Sequence, residues 1–255
     1  MLRIVADLGN SRLKWGRVGP GGALEATVAQ PVDDPGAWAA TLDAWDPIGE
    51  GSVWAISTVN PPVAERLGRF LRDRGVSRVV WSRSAADVPI DHDLTEPDRA
   101  GADRAWAVLA ARDLHAPGRP GIVISCGTAI TVERVGADGR WKGGAIAPGL
   151  ALAAKGLHRL TAQLPLVEVR EAPPAWGRST EPALEAGVFW GAVGAVRELI
   201  ARQSEGLSPH PWLVWTGGDA PTLARWVEGA EARVVPDLVL LGLARAASGG
   251  ESGRP

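Results

Sequence analysis

The 255-residue chain contains no tyrosine, two phenylalanines and a single cysteine. Cys126 has no partner for an intramolecular disulfide, which excludes a disulfide-stapled fold and makes a reducing cytoplasm the expected setting. No apolar run approaches the roughly 20 residues needed to cross a bilayer. No early stretch joins a basic start to a long apolar segment and a cleavage site, so neither membrane insertion nor export is expected. The four histidines, His92, His115, His158 and His210, fall singly without ligand spacing, and no zinc or iron site is expected. A formal net charge of -2 gives no basic footprint, which argues against nucleic acid or an anionic membrane as partner.

Twelve tryptophans accompany abundant Ala, Gly, Pro and Arg, a bias of the kind GC-rich codons produce, so most of the indoles are expected to pack rather than to act. With 45% hydrophobic residues, the chain can fill one large core or two modest ones.

One stretch organises the first half. Asp7-Leu8-Gly9-Asn10-Ser11 lies between an apolar run, residues 2–6, and a strand-like run ending at Trp15-Gly16. A carboxylate at the end of a buried strand, followed by Gly and small polar residues, makes a tight turn whose amides and hydroxyls can face a phosphate. The grammar recurs mid-chain: Gly121-Ile122-Val123-Ile124, then Ser125-Cys126-Gly127-Thr128, then Ala129-Ile130-Thr131-Val132-Glu133. Two hairpins of one design, each opening about half of the chain, predict two related domains with a nucleotide between their turns.

The spacing elsewhere fits an α/β fold. After a three-strand meander, Asp33-Asp34-Pro35 caps a helix to about Trp45, residues 52–57 form a strand, and Asn60-Pro61-Pro62 starts a helix to about Arg74. Residues 76–81 are a strand, 90–99 a polar loop, and Gly101-Ala102-Asp103-Arg104 opens an Ala-rich helix. The Pro/Gly-rich residues 116–121 separate domains at 1–117 and 118–247, with 248–255 expected to be a disordered tail. In the second half, a helix follows Pro148-Gly149, residues 166–171 suggest a short strand, and Ser179-Thr180-Glu181-Pro182 caps a long helix. A strand at 212–215 then leads into Thr216-Gly217-Gly218-Asp219, and further helices run to about 228 and from 237 to 247.

These segments together resemble the type III pantothenate kinases, which catalyse the first step of coenzyme A synthesis in many bacteria. The resemblance rests on eight segments in order: Asp7 to Ser11 with Lys14-Trp15-Gly16, Gly101 to Arg104, Gly127 to Thr131, Gly143 to Gly149, Thr161 to Pro165, Gly177 to Thr180, Thr216 to Gly218, and Leu238 to Leu243. It implies two duplicated ribonuclease H-like domains of the actin, hexokinase and acetate kinase superfamily. Each would have a mixed five-stranded sheet with flanking helices, the nucleotide cleft would lie between them, and the protein would be a homodimer.

The resemblance also assigns roles. Asp7 would organise magnesium through its water shell, while Leu8, Gly9, Asn10, Ser11, Arg12, Leu13 and Lys14, with Gly127 and Thr128, would meet ATP. Asp103 would be the general base for the substrate hydroxyl, and Gly101, Ala102, Asp103, Arg104 and Thr180 would hold pantothenate, Arg104 through its fork of donors. Thr216-Gly217-Gly218-Asp219 resembles the adenosine-side loop. Each position also has a plain structural reading: a hairpin turn at Asp7, a helix N-terminus at Asp103, a capping residue at Thr180.

Two positions depart from the family. Ser125 stands where a carboxylate usually ligates the activating potassium or ammonium ion, and Leu94 stands where a tyrosine often lines the pantothenate pocket. One charge pair at about 4 Å is worth on the order of 4 kcal/mol at an effective dielectric near 20, so the Ser125 replacement matters. It leaves open a cation held by neutral oxygens, a cation-independent kinase, or a catalytically silent relative with an accessory or regulatory role. A kinase for another small alcohol is a further alternative.

Overall fold

A computed structural model describes residues 3–45, 51–169 and 171–249. The described residues fall into two compact units, one drawn from Met1–Ile90, Leu94–Asp113 and Asp237–Pro255, the other from Asp91–Asp93 and Leu114–Pro236.

Unit one is built on strands β1 (Arg3–Leu8), β2 (Arg12–Val18), β3 (Leu24–Pro31), β4 (Val53–Thr58) and β5 (Arg78–Ser82), in the order β3-β2-β1-β4-β5. β1 runs antiparallel to β2 and parallel to β4, which gives the mixed five-stranded sheet expected from the sequence. Because side chains alternate across a strand, Ile4, Ala6 and Leu8 face one side and Val5 and Asp7 the other. The first set joins Leu13, Trp15, Trp54 and Ile56 in a buried cluster. That cluster is completed by Trp38 and Leu42 of α1 (Pro35–Trp45) and by Leu67 and Leu71 of α2 (Pro61–Asp73). Both helices start as the sequence predicts: Ala37 N donates to Asp34 Oδ1 at 2.9 Å, and Asn60 Oδ1 accepts from Val63 N at 3.4 Å.

The opposite face receives α3 (Ala102–Arg112) and the final helix α7 (Leu238–Gly249). Gly16 makes this approach possible, since a Cβ there would stand 2.8 Å from Leu24 Cδ2, 3.1 Å from Val5 Cγ2 and 3.5 Å from Leu240 Cδ1. The two helices pack closely because Gly242 brings no side chain to the Trp106 carbonyl, which lies 2.7 Å from where its Cβ would be. Leu238, Leu240, Leu243 and Ala244 are at most 1% exposed, so α7 is driven into unit one by its apolar face.

Unit two repeats the plan with β6 (Gly121–Cys126), β7 (Ala129–Val135), β8 (Trp141–Pro148) and β9 (Trp212–Thr216), ordered β8-β7-β6-β9. β6 is antiparallel to β7 and parallel to β9, as β1 is to β2 and β4. Helices α4 (Leu150–Leu160), α5 (Thr180–Ser204) and α6 (Ala220–Val227) accompany the sheet, with Phe189, Val193, Val196 and Leu223 buried against Ile122, Ile124 and Trp215.

Four details differ from the sequence reading. This sheet has four strands rather than five, because only Val234 bridges to Trp215 and Pro236, without an N–H, cannot extend the pairing. Residues 164–169 form no strand, since within them only Val167 is buried and nothing anchors an alternating face; Arg170 lies outside the described residues. The linear division at 117/118 is also crossed twice. α7 returns to unit one, and residues 91–93 join unit two, where Trp141 exchanges backbone hydrogen bonds with Asp91 and Asp93 at 2.9 Å. Arg140 Nε and Lys142 Nζ reinforce that segment through Asp93 at 2.7 and 2.8 Å. Finally, α7 continues through Gly249, beyond the expected start of a tail at 248; residues 250–255 lie outside the described residues.

Candidate active site

The first hairpin turn is closed by Gly9 N donating to Arg12 O at 3.0 Å. Asn10, Ser11 and Arg12 are exposed around it, whereas Leu8 and Leu13 are fully buried and can offer a ligand only their backbone. One rung of the sheet runs beneath the turn. Register places Ala29, Lys14, Asp7, Ser57 and Ser82 opposite one another on five successive strands, so their side chains share a face. That is the face covered by α3 and α7.

Asp103 is in the first turn of α3, half-buried, with its Oδ1 accepting from Arg104 N at 2.8 Å. A short chain of contacts fixes it over the rung. Val59 N donates to Leu8 O at 3.2 Å, and the space a Cβ would fill at Gly101 is bounded by Val59 Cγ1 at 3.2 Å and Asp103 Oδ1 at 2.5 Å. Ala85 N donates to Ala100 O at 2.8 Å, which closes the polar loop and delivers the chain to Gly101. Asp237, immediately before α7, completes the cluster and accepts a hydrogen bond from Lys14 Nζ at 3.3 Å.

The electrostatics follow from this crowding. Burial, then the Asp103 charge, push the Asp7 carboxyl up to about 7; Lys14 pulls it down and Asp237 pushes it up further. Asp7 thus has too little positive charge around it. A divalent cation with its waters would supply that charge, so the residues present fit magnesium. Among the described residues no three His, Cys, Asp or Glu side chains converge as a direct metal cage.

In unit two, Gly127 N donates to Ala129 O at 3.1 Å to close the second turn, and Thr128 is exposed beside it. Ser125 lies opposite Thr131 on β7 and Thr216 on β9, both buried. The Thr216 to Asp219 loop folds directly onto this hairpin. Asp219 N donates to Cys126 O at 3.1 Å, and Gly217, at φ 98°, lies so close to the Cys126 backbone that a Cβ would collide with it. Burial and the nearby Asp219 push the Cys126 thiol up to about 12, so it packs as an apolar group.

Asp7, Gly9, Lys14, Gly101, Ala102, Asp103 and Arg104 therefore belong to unit one, and Ser125, Gly127, Thr128 and Thr180 to unit two. Thr180 is exposed at the start of α5, and the preceding Ser179 makes no side-chain capping bond there. Leu94, at the tyrosine position, is half-buried in unit one. Sequence reasoning missed two residues. Ser57 is fully buried with no hydrogen-bond partner for its hydroxyl, and Asp237 is 223 positions from the lysine it pairs with. Pairing of Asp7 with Ser57 depends on sheet register that no local pattern encodes.

A sequence model of the type III pantothenate kinase family matches residues 3–202. The chain belongs to that family. Proteins named type III pantothenate kinase from Acidiphilium cryptum and Alkalilimnicola ehrlichii are 34% and 38% identical to it. The first alignment covers 95% of this chain and 92% of the relative, the second 96% and 97%. A solved structure from Campylobacter jejuni, proposed to be a Baf family transcriptional activator, superposes with a TM-score of 0.63 at 19% identity over 98% of this chain and 100% of that one. An archaeal actin homologue gives 0.53 at 12% identity over 98% and 100%. At such identities these structures speak for the fold, two ribonuclease H-like units of the actin and hexokinase kind, and for nothing more.

Proposed function

We infer that this member of the type III pantothenate kinase family transfers the γ-phosphoryl group of ATP to the primary hydroxyl of pantothenate, giving 4'-phosphopantothenate for coenzyme A synthesis. The hydroxyl oxygen forms the new bond to γ-phosphorus, the bond from phosphorus to the β–γ bridging oxygen breaks, and ADP leaves. Asp103 accepts the hydroxyl proton. Its place in the first turn of α3, with Oδ1 accepting from Arg104 N, is the observation that carries this reading. Arg104 and Thr180 take the substrate, Arg104 by pairing with its carboxylate. Residues Asp7 to Lys14, with Gly127 and Thr128, take the nucleotide. Magnesium would be held at Asp7 through water and would supply positive charge to the phosphates.

A monovalent cation, potassium or ammonium, would be met in unit two by neutral oxygens, those of Ser125, Thr131 and Thr216, rather than by a carboxylate. We assign the cytoplasm as its compartment; among the described residues no helix is long and apolar enough to cross a membrane. We also propose a homodimer. α4 buries Leu150 and Ala154 but leaves Leu152, Leu157 and Leu160 exposed, as is Ile146 of edge strand β8, an apolar face of the kind a second copy covers.

A coupled assay for ADP release with ATP and pantothenate, run with and without potassium, tests the reading. Turnover that disappears in a folded Asp103→Ala variant supports it. Tight nucleotide binding without turnover under any cation would favour the silent alternative. The relatives matched in sequence carry the kinase name, and none of them speaks for that alternative.

A further inference from the structure

Asp237 has no role in the reading above, yet its geometry is unusual. Its backbone is left-handed, with φ at 44°, at the only non-glycine residue with positive φ among those described. Such a conformation is uncommon for a residue with a side chain, and aspartate and asparagine tolerate it best. The helix beyond it holds it there: Leu241 N donates to Asp237 O at 3.0 Å, and α7 is locked by buried Leu238, Leu240 and Leu243. The carboxylate consequently leaves a fixed point and meets the Lys14 ammonium at 3.3 Å, with both side chains 26% exposed.

Lysine is a flexible point charge, and its usefulness to a phosphate depends on where its head group waits. Lys14 stands directly across the strand pair from Asp7, on the same face. With no second acceptor, its natural partner would be Asp7 itself, and that pair would occupy the carboxylate the reaction needs. We propose that Asp237 is a positioning residue that holds the Lys14 ammonium beside, rather than on, Asp7, so that an incoming nucleoside triphosphate meets a preset cation. Asparagine would satisfy the left-handed turn equally well, so the turn alone does not call for the negative charge. This inference rests on the nucleotide site being the one assigned above.

The test is a double-mutant cycle of Asp237→Asn and Lys14→Met in the full-length protein. It is read as the KM for ATP, kcat, the KM for pantothenate, and the affinity for a non-hydrolysable ATP analogue with no pantothenate present. Asp237→Asn is expected to weaken ATP KM and analogue affinity about tenfold, leave the pantothenate KM unchanged, and add nothing further in the Lys14→Met background. Wild-type ATP parameters in Asp237→Asn, with lost thermal stability only in Asp237→Ala, would reduce the residue to a turn former and overturn the proposal. So would additive effects of the two substitutions. If the wild type binds the analogue but does not turn over pantothenate, the functional reading fails while the binding arm still decides this one.

Discussion

The two sheets of this protein carry the same rung with different chemistry. In unit one the position at the end of the central strand is Asp7, flanked by Lys14 and Ser57; in unit two it is Ser125, flanked by Thr131 and Thr216. Strand order and direction around the two are alike, and a glycine N–H closes each turn, Gly9 to Arg12 O in one and Gly127 to Ala129 O in the other. Around the first rung stand Asp103 and Asp237 with Lys14; burial first, then Asp103, push the Asp7 carboxyl up to about 7 against the pull of Lys14. The second is built of hydroxyls. One backbone plan thus carries a carboxylate at this position in unit one and a hydroxyl in unit two.

The largest effect that would break this comparison comes from Asp103→Ala, expected to lower kcat by about 10²- to 10⁴-fold with the fold intact by circular dichroism. Asp7→Asn should be comparably inactive yet more stable at pH 8. The sign comes from the raised carboxyl. Between its ordinary 3.8 and about 7 the folded state keeps a proton that the unfolded chain has released, so stability falls as pH rises through that window and is flat above it. Removing the charge should recover up to roughly 4 kcal/mol at pH 8 and flatten the pH dependence of the melting midpoint.

Gly101→Ala ranks next. The new Cβ would press on Asp103 Oδ1 and Val59, and displacing Asp103 is expected to cost about 10- to 100-fold in kcat with little change in ATP KM. Ser125→Asp would make the second rung resemble the first, and should create or strengthen potassium dependence of turnover; an unchanged potassium response would remove our account of that position. The smallest effect expected is structural. Gly144→Ala on β8 would place a methyl against the carboxylate of buried Glu133 and the Val132 carbonyl, and should lower stability by about 1–3 kcal/mol, measured by urea unfolding, without changing the pH profile of activity.

Much of this was legible in the chain. Asp7 and Gly9 mark the first turn, Gly127 the second, and helix starts at Asp34, Asn60 and Ala102 are local signals that local chemistry enforces. What sequence could not supply was register and return. Ser57 meets Asp7 because β4 pairs in parallel with β1, and Asp237 meets Lys14 because α7 is carried by its leucines back to unit one. Both are long-range consequences of burial, which periodicity within a segment does not reveal. The missing fifth strand of unit two has a local cause in Pro236, but its effect depended on knowing that Val234 would lie beside β9.

Burial raises the Asp7 carboxyl and the Asp103 charge raises it further, an effect that is directly measurable. With carboxyl-labelled aspartate, a carbon-13 NMR titration of the metal-free protein should show one carboxyl with a midpoint near 7 that is lost in Asp7→Asn and falls in Asp103→Asn. A midpoint for Asp7 near 4, unmoved by Asp103→Asn, would contradict it.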